Sequence, residues 1–407
     1  MEHRVVITGI GIYSCIGENL TDVLESLQKG KSGIISDEPR KEFGYRSCLT
    51  GFVPDPDLKP FLSRRDRIGM HQPAMYAYMS TREALENSKL DIDFLEKNET
   101  GIIFGNDSTA GAVVETIDKA RARKDNTLIG SGDIFQNMNC TVNMNLSTIY
   151  KLKGINISMS AACASGSHSI GMGYLLIKQG LQDRVICGGA QEINVYAMGS
   201  FDGLGAFSIR HDDPTKASRP FDRDRDGLVP SGGAATVIIE SLESALKRNA
   251  PIYGEILGYG FSSNGDHISN PNFDGQYRSL IMSLKQAGLT PNEIDYINAH
   301  ATSTPVGDAT EAQVLFDVFG SKVPVSSTKG MTGHECWMAG ASEVIYSLLM
   351  MQHDFIAPNI NFENPDEDSK KINIISTMTE KKMDCFLSNS FGFGGTNSSL
   401  IIKKFIK

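Results

Sequence analysis

The sequence predicts an α/β protein made of two similar halves. Short apolar strands that end in glycine alternate with helical stretches along the chain, and this alternation is typical of layered α/β folds. The pattern restarts near Pro251, where 252–260 repeats the strand-to-glycine character of 4–12. Because no low-complexity linker separates them, we expect residues 1–250 and 251–407 to pack tightly against each other.

Each predicted element follows from local apolar periodicity and the positions of glycine. In the first half, strands are predicted over 4–12, 101–105, 185–190 and 234–242, and helices at 20–28, within 61–87 and at 243–248. In the second half, strands are predicted over 252–260, 295–299 and 323–326, helices over 279–287 and 343–352, and a final strand after glycine-rich turns within 388–402.

Composition excludes several classes of protein. The 407 residues carry a net charge of −9, which argues against a general nucleic-acid binder, since such a protein needs a basic face. No apolar run approaches the ~20 residues of a membrane span, and the start of the chain is unlike a signal peptide. The seven cysteines are scattered, without a C-x-x-C pair, so we expect reduced thiols and a cytoplasmic location.

Cys163 lies where an apolar strand turns into a helix. Ile157 and Met159 alternate ahead of it, and Ile170 and Met172 begin a helical apolar face after it. Small neighbours permit a tight turn, and the first helical amides would favour a thiolate and bind a developing oxyanion. A lone cysteine in such a place is more often a structural residue, so the rest of the chain must decide.

Further candidates for chemistry also follow apolar strands. They lie in three polar or glycine-rich segments, 298–308, 326–334 and 388–397. The first two contribute His300, Lys329 and His334. A cysteine with two histidines suits acyl transfer, because the thiol can form a thioester and imidazoles can donate to an oxygen that gains charge.

Other uses of these residues fit the sequence less well. Gly9 and Gly11 suggest a dinucleotide-binding loop, but Ser14 stands at the third glycine. Zinc binding by His334 and Cys336 has poor ligand spacing. A serine hydrolase would need a G-x-S-x-G motif, which the sequence lacks.

Six motifs occur in order along the whole chain. They are Val-Ile-Thr-Gly-Ile-Gly at 6–11, Ser-Ala-Ala-Cys-Ala-Ser-Gly at 160–166, Arg-Pro-Phe-Asp-Arg-Asp-Arg-Asp-Gly at 219–227, Asn-Ala-His-Ala-Thr-Ser-Thr-Pro-Val-Gly-Asp at 298–308, Thr-Lys-Gly-Met-Thr-Gly-His at 328–334 and Asn-Ser-Phe-Gly-Phe-Gly-Gly-Thr-Asn at 389–397. In these motifs the chain resembles the elongating β-ketoacyl-acyl-carrier-protein synthases. The resemblance implies a thiolase-like fold of two βαβαβαββ halves in a five-layer α-β-α-β-α arrangement.

The resemblance also implies a reaction and its catalytic residues. Cys163 would take an acyl group from a carrier protein, and the amides of Cys163 and Phe393 would form an oxyanion hole. His300 and His334 would stabilise the enolate formed when malonyl-carrier loses CO2, which then attacks the acyl-cysteine. Lys329, paired with Glu311, would support the site electrostatically, since a fixed cation keeps nearby histidines neutral.

Substrate and partner contacts follow from the same resemblance. Thr302 and Thr304 would bind the phosphopantetheine arm that carries the substrates, so no separate cofactor is expected. The other residues expected to contact the acyl group are Phe201, Asp107, Ser108, Cys336 and Trp337. Docking of the acidic acyl carrier protein is expected at Arg64, Arg65 and Arg67.

Three further expectations concern ions and assembly. A monovalent cation is implied near Asn298, Glu343, Ser388 and Asn389. The resemblance implies a homodimer, with a heterodimer containing a ketosynthase-like partner as the alternative. No metal centre, nucleic acid or membrane is expected as a partner.

Departures from the family pattern cluster around the expected acyl pocket. Ala301 replaces the usual glycine, 335–338 reads Glu-Cys-Trp-Met in place of a small-residue run, and 105–109 is unusually polar. A tryptophan in place of glycine changes volume strongly. We therefore hypothesise a polyunsaturated or aryl acyl group.

A non-catalytic chain-length partner would usually lack the cysteine, and a degradative thiolase would use a second cysteine, so both alternatives rank below a condensing enzyme.

Overall fold

The computed structural model describes residues 2–406. The strands are β1 Val5–Ser14, β2 Ile34–Ser36, β3 Leu49–Gly51, β4 Gly101–Gly105, β5 Asn156–Met159, β6 Arg184–Gln191, β7 Gly233–Ser241, β8 Gly254–Ser263, β9 Tyr296–Asn298, β10 Pro324–Ser326, β11 Phe355–Ile356, β12 Asn373–Ile374, β13 Thr379–Glu380, β14 Cys385–Gly392 and β15 Thr396–Lys403. The helices are α1 Leu20–Lys29, α2 Glu38–Phe43, α3 Arg64–Arg67, α4 Gln72–Ser88, α5 Ile92–Lys97, α6 Ala110–Arg123, α7 Asp133–Gln136, α8 Thr141–Ile149, α9 Ser165–Lys178, α10 Gly199–Gly203, α11 Leu242–Lys247, α12 Phe273–Ala287, α13 Pro305–Phe319, α14 Lys329–Thr332 and α15 Ala339–Gln352.

The main sheet contains the same strand arrangement twice. Within the described chain, eleven strands pair in the order β12-β10-β9-β14-β15-β8-β1-β7-β6-β4-β5. Counted outward from the β1–β8 junction, each side continues with two antiparallel pairings and then two parallel ones, and the β8 side ends with one more parallel pairing, β10 with β12. The junction itself is a short antiparallel register from Val5↔Ile256 to Ile7↔Gly254.

Helices complete five layers around this sheet. The central pair, α9 and α15, pack on each other, with α9 against β4 and β6 and α15 against β14 and β7. On the outer faces, α4 covers β1 and β7 while α12 covers β8 and β15. The α/β thiolase-like layering expected from the sequence is therefore present, with the largest apolar cluster centred on α9, α15 and the strands beside them.

The glycine pair in β1 serves strand–helix packing. A Cβ atom on Gly11 would lie 2.1 Å from the Ser80 carbonyl oxygen of α4, and one on Gly9 would lie 2.6 Å from the Ala84 oxygen. Only glycine permits such close contact between strand and helix backbones. These contacts give the glycine pair a packing role and leave the dinucleotide interpretation without support.

The elements that position the site gather where strands of both halves end. β5 runs into the Cys163 turn, β9 into His300, β10 into Lys329, and β14 into Phe393. The helical stretch predicted within 61–87 consists of two helices, the short α3 and the long α4. Within residues 2–406, no helix is both long and apolar enough to cross a membrane.

Candidate active site

The Cys163 turn is a strained connection between β5 and α9. A 3₁₀ turn, Ala162–Ala164, precedes α9, and Ala162 has a φ of +46°, which side chains larger than glycine rarely adopt. The Asp107 carboxylate accepts a hydrogen bond from the Ala162 amide at 2.7 Å, and the Ser165 hydroxyl accepts one from Ala161 at 2.8 Å. These contacts hold Cys163 at the start of the helix.

Cys163 is buried against the glycine turn after β14. Burial raises the pKa of its thiol to about 11, although the backbone N–H of Phe393 and the Lys329 ammonium act in the opposite direction. A Cβ on Gly392 would lie 3.2 Å from the Cys163 nitrogen, so this turn lies directly beside the nucleophile. The Phe393 amide therefore lies beside the Cys163 thiol, to which it can donate a hydrogen bond.

Two histidine rings face each other beside this turn. The centres of the His300 and His334 rings are 5.3 Å apart with an interplanar angle of 87°. The Nδ1 atom of His300 and both ring nitrogens of His334 have no hydrogen-bond partner among residues 2–406. Burial, and then the Lys329 ammonium, hold both histidine pKa values well below their usual range. Neutral rings with free nitrogens can donate to a substrate oxygen.

Lys329 pairs with Glu343, so its expected pairing with Glu311 is wrong. The Lys329 ammonium contacts the Glu343 carboxylate, and both side chains are buried. Burial raises the pKa of Glu343, while the ammonium opposes that rise. The two carboxylates lie on different helices, α13 and α15, and only the one on α15 reaches the ammonium.

Glu311 instead binds the backbone that carries the first histidine. Its two carboxylate oxygens accept hydrogen bonds from the His300 amide at 2.9 Å and the Ala301 amide at 2.7 Å. The Asn389 side chain adds a third hydrogen bond at 3.1 Å. Glu311 therefore fixes the backbone position from which the His300 ring projects.

Glu335 holds the second histidine turn and was not singled out as a site residue by the sequence. It is buried, and it accepts hydrogen bonds from the hydroxyls of Ser342 and Tyr346. Burial raises its pKa to about 7. It stabilises a turn in which Cys336 has a φ of +46°. The sequence signal was a charged residue directly after His334, but its partners lie seven and eleven positions further along the chain.

These groups open into one cavity of about 460 Å³. Its walls include Cys163, His300, His334, Phe393 and Glu311. Its lining also includes two hydroxyls, those of Thr302 and Thr304, which lie 3.1 Å apart. The structure thus brings together residues from both halves of the sequence: a buried thiol, two neutral imidazoles and the glycine turn that contains Phe393.

Comparisons with known proteins identify the family. The beta-ketoacyl synthase N-terminal domain matches residues 2–245, and the beta-ketoacyl synthase C-terminal domain matches residues 253–363. The chain belongs to the beta-ketoacyl synthase family. It is an acyltransferase that carries out acyl-carrier-dependent condensation in chain elongation.

Similar proteins match this synthase from end to end. The 3-oxoacyl-[acyl-carrier-protein] synthase 1 of Haemophilus influenzae is 44% identical over 409 residues, covering 99% of each chain. The enzyme of the same name from Escherichia coli K12 is 40% identical, covering 98% of this chain and 99% of its own. A beta-ketoacyl synthase crystal structure from Burkholderia phymatum superposes with a TM-score of 0.95 at 32% identity, covering 99% of this chain and 100% of its own.

Two predicted substrate contacts of the synthase have structural partners instead. Asp107 accepts from the nucleophile turn, as described above, and the Ser108 hydroxyl donates to Glu192 at 2.7 Å. The Glu192 carboxylate also accepts from the amides that begin α6. The cavity lining includes neither Asp107 nor Ser108, whose contacts support the turn and α6; their contact with the substrate stays a prediction.

Cys336 and Trp337 lie behind the cavity wall. They belong to a buried group that we call the tryptophan cluster, whose members are Cys163, Met198, Phe207, Leu228, Cys336 and Trp337. Two members of this cluster, Cys163 and Leu228, line the cavity together with Phe201, whose ring lies 6.4 Å from that of Trp337. Cys336 and Trp337 are therefore grouped with Cys163 in one buried cluster but are not part of the cavity lining, so their contact with an acyl group stays a prediction.

The residues expected near a cation partly fit that role. Three buried oxygens, Asn298 Oδ1, Ser388 Oγ and Glu343 Oε2, have no hydrogen-bond partner within the described chain. The Asn389 side chain is already engaged, since its oxygen accepts from Ser399 at 2.9 Å. Oxygen donors of this kind suit an alkali cation. By contrast, residues 2–406 contain no group of three or more His, Cys, Asp or Glu side chains placed to hold a metal, so the zinc interpretation has no support.

The predicted docking residues form an exposed basic turn. Arg64 and Arg65 are exposed on α3, whose first turn is capped by Ser63. Arg67 is half-buried and donates to the Leu62 carbonyl at 3.2 Å. Arg64 and Arg65 are thus the two members that can present charge to a partner.

Proposed function

We propose that this synthase uses Cys163, His300 and His334 for a decarboxylative Claisen condensation that gives a 3-oxoacyl-carrier product. The observation that carries this assignment is their convergence in one cavity. In the first half-reaction, Cys163 sulfur attacks an acyl-carrier thioester; the acyl–sulfur bond to the carrier breaks and the carrier thiol takes the proton. The Cys163 and Phe393 amides stabilise the oxyanion.

The second half-reaction uses the neutral histidines. A malonyl-carrier thioester binds with its carbonyl oxygen between His300 and His334, and loss of CO2 leaves the electron pair as an enolate. Two donors in a buried site contribute several kcal/mol, at ~3 kcal/mol for each well-placed one. The enolate carbon attacks the acyl group, and the Cys163–acyl bond breaks to release the sulfur. Lys329 supports this step by keeping both imidazoles neutral.

Binding and assembly complete the proposal. Thr302 and Thr304 hold the phosphopantetheine arm at the cavity mouth, and Arg64 and Arg65 dock the acidic acyl carrier protein. The substrates arrive on that arm, so a separate cofactor is not needed. A monovalent cation near Asn298 would stabilise the buried oxygens described above.

The proposed assembly is a cytoplasmic homodimer of chains with halves 1–250 and 251–407. Edge strand β5 supports dimerisation, since its Ile157 side chain is 39% exposed and its outer edge is open to pairing within the described chain. A heterodimer with a ketosynthase-like partner is the alternative, and sedimentation of the purified chain distinguishes the two.

A condensation assay tests the reaction. Purified protein is mixed with octanoyl-carrier and malonyl-carrier, and CO2 and 3-oxoacyl-carrier are measured. We expect both products from the wild type and neither condensation product nor acyl-enzyme from Cys163→Ala. Condensation by Cys163→Ala at the wild-type rate would contradict the assignment.

A further inference from the structure

An aromatic wall lies beside the nucleophile. The Phe201 ring stacks between Phe207, at 6.2 Å and 5°, and Phe393, at 5.9 Å and 14°. Trp337 lies 6.4 Å from Phe201 at an angle of 50°. Because Phe201 and Phe393 line the cavity, an acyl group on Cys163 meets ring faces, which interact best with flat π surfaces.

Trp337 places an unused hydrogen-bond donor in this wall. Its side chain is 8% exposed and belongs to the same buried cluster as Cys163. Its indole Nε1 has no acceptor anywhere in the described chain. A buried donor without an acceptor is costly, and tryptophan N–H groups usually find a partner when buried. An oxygen atom on a bound ligand would satisfy this donor.

Arg40 adds a buried positive charge behind the wall. The side chain is fully buried, with Nη2 donating to the Ile193 carbonyl at 3.1 Å, while Nη1 finds no acceptor among residues 2–406. Its guanidinium carbon lies 5.4 Å from the centre of the Tyr45 ring, and Tyr45 packs against the tryptophan cluster. The Asp37 carboxylate lies 3.3 Å from Nε and offsets the charge, so Arg40 contributes an unpartnered Nη1 donor near the cluster.

We propose that the acyl group held by Cys163 is a flat, conjugated chain ending in an oxygen-bearing aryl ring, and that the Trp337 N–H donates to that oxygen. The inference rests on the proposed condensation and names its acyl substrate. Phe201 lines the cavity and its ring lies 6.4 Å from that of Trp337, so rotation of Phe201 would bring the bound ring to the indole. Phe201 lies on α10, a short helix bounded by Gly199 and Gly203, where few backbone constraints oppose such a change.

The test compares three carrier-bound acyl groups of similar length: 4-hydroxycinnamoyl, cinnamoyl and octanoyl. Condensation with malonyl-carrier gives kcat/KM for each, using the wild type and Trp337→Phe, which retains a ring but removes the N–H. Tyr253→Phe is the matched control, because it removes a polar atom from an aromatic ring before β8, outside the cavity lining. Arg40→Lys is a second variant that keeps the buried charge.

For the wild type, kcat/KM is expected to be highest for 4-hydroxycinnamoyl, lower for cinnamoyl and lowest for octanoyl. Trp337→Phe should reduce the ratio of kcat/KM for 4-hydroxycinnamoyl to that for cinnamoyl by about five- to tenfold, the effect expected for one hydrogen bond. Tyr253→Phe should leave this ratio unchanged. Arg40→Lys should retain most of the preference. Equal use of octanoyl and cinnamoyl, or an unchanged ratio in Trp337→Phe, would overturn the inference. Absence of condensation with every acyl group, octanoyl included, would instead contradict the proposed function.

Discussion

Replacing Glu311 tests whether the backbone beneath His300 sets the rate of decarboxylation. In Glu311→Ala, the buried amides of His300 and Ala301 lose the carboxylate that accepts from them at 2.9 and 2.7 Å. At about 1–3 kcal/mol for each unsatisfied buried donor, the variant should lose roughly 2–6 kcal/mol of unfolding free energy. Glu311→Gln retains one carbonyl oxygen and should lose about half as much.

The catalytic effect should be separable from this loss of stability. Because His300 acts only after Cys163 is acylated, we expect CO2 release from malonyl-carrier to fall about 100-fold in Glu311→Ala, as for loss of one well-placed donor. Acylation of Cys163 should fall less than tenfold. Urea denaturation gives the stability, isotope-labelled CO2 the decarboxylation rate, and intact-protein mass the acylation rate.

A matched control removes an exposed carboxylate. Glu367→Gln changes a side chain that is 89% exposed and should leave all three quantities unchanged. If Glu311→Ala remains folded and releases CO2 at the wild-type rate, Glu311 does not position His300. Equal losses of acylation and decarboxylation would also refute the reasoning, because they would indicate general disruption of the site.

Three further outcomes follow from the same geometry. Lys329→Met should raise the pKa values of the two histidines toward their usual range, so the acid limb of the pH–rate profile for CO2 release should move to higher pH; an unmoved limb would exclude this role. His334→Ala should lose at least 100-fold in decarboxylation yet still acylate Cys163, and the reverse pattern would exchange the roles assigned here. Arg65→Glu should raise KM for acyl-carrier about tenfold at low salt, with Lys285→Glu as an exposed control; equal effects of both would argue against docking at α3.

Much of the fold was predictable because local apolar periodicity agrees with the final elements. The strand predicted at 185–190 is Arg184–Gln191, and the helix predicted at 343–352 forms the end of α15. Element ends were less predictable, since packing extends several of them. The helix predicted from 279 begins at Phe273, where the Asn272 side chain caps its first turn.

The convergence of Cys163, His300 and His334 could be predicted because each lies in a short motif directly after a strand. The partner of Lys329 could not, because Glu311 and Glu343 both lie on helices that sequence spacing does not orient. Contacts across long separations were also hidden. Nothing local indicates that Asp107 would accept from the Ala162 amide, 55 positions further along.

Cys163 is proposed to carry the acyl group until the enolate formed from malonyl-carrier attacks it. A single-turnover experiment tests it most directly: the enzyme is incubated with acyl-carrier, the Cys163 peptide is weighed by mass spectrometry, and malonyl-carrier is then added. We expect one acyl mass on Cys163 that disappears as an equal amount of 3-oxoacyl-carrier and CO2 forms. An acyl group on another residue, or one that persists on Cys163 while product accumulates, would contradict it.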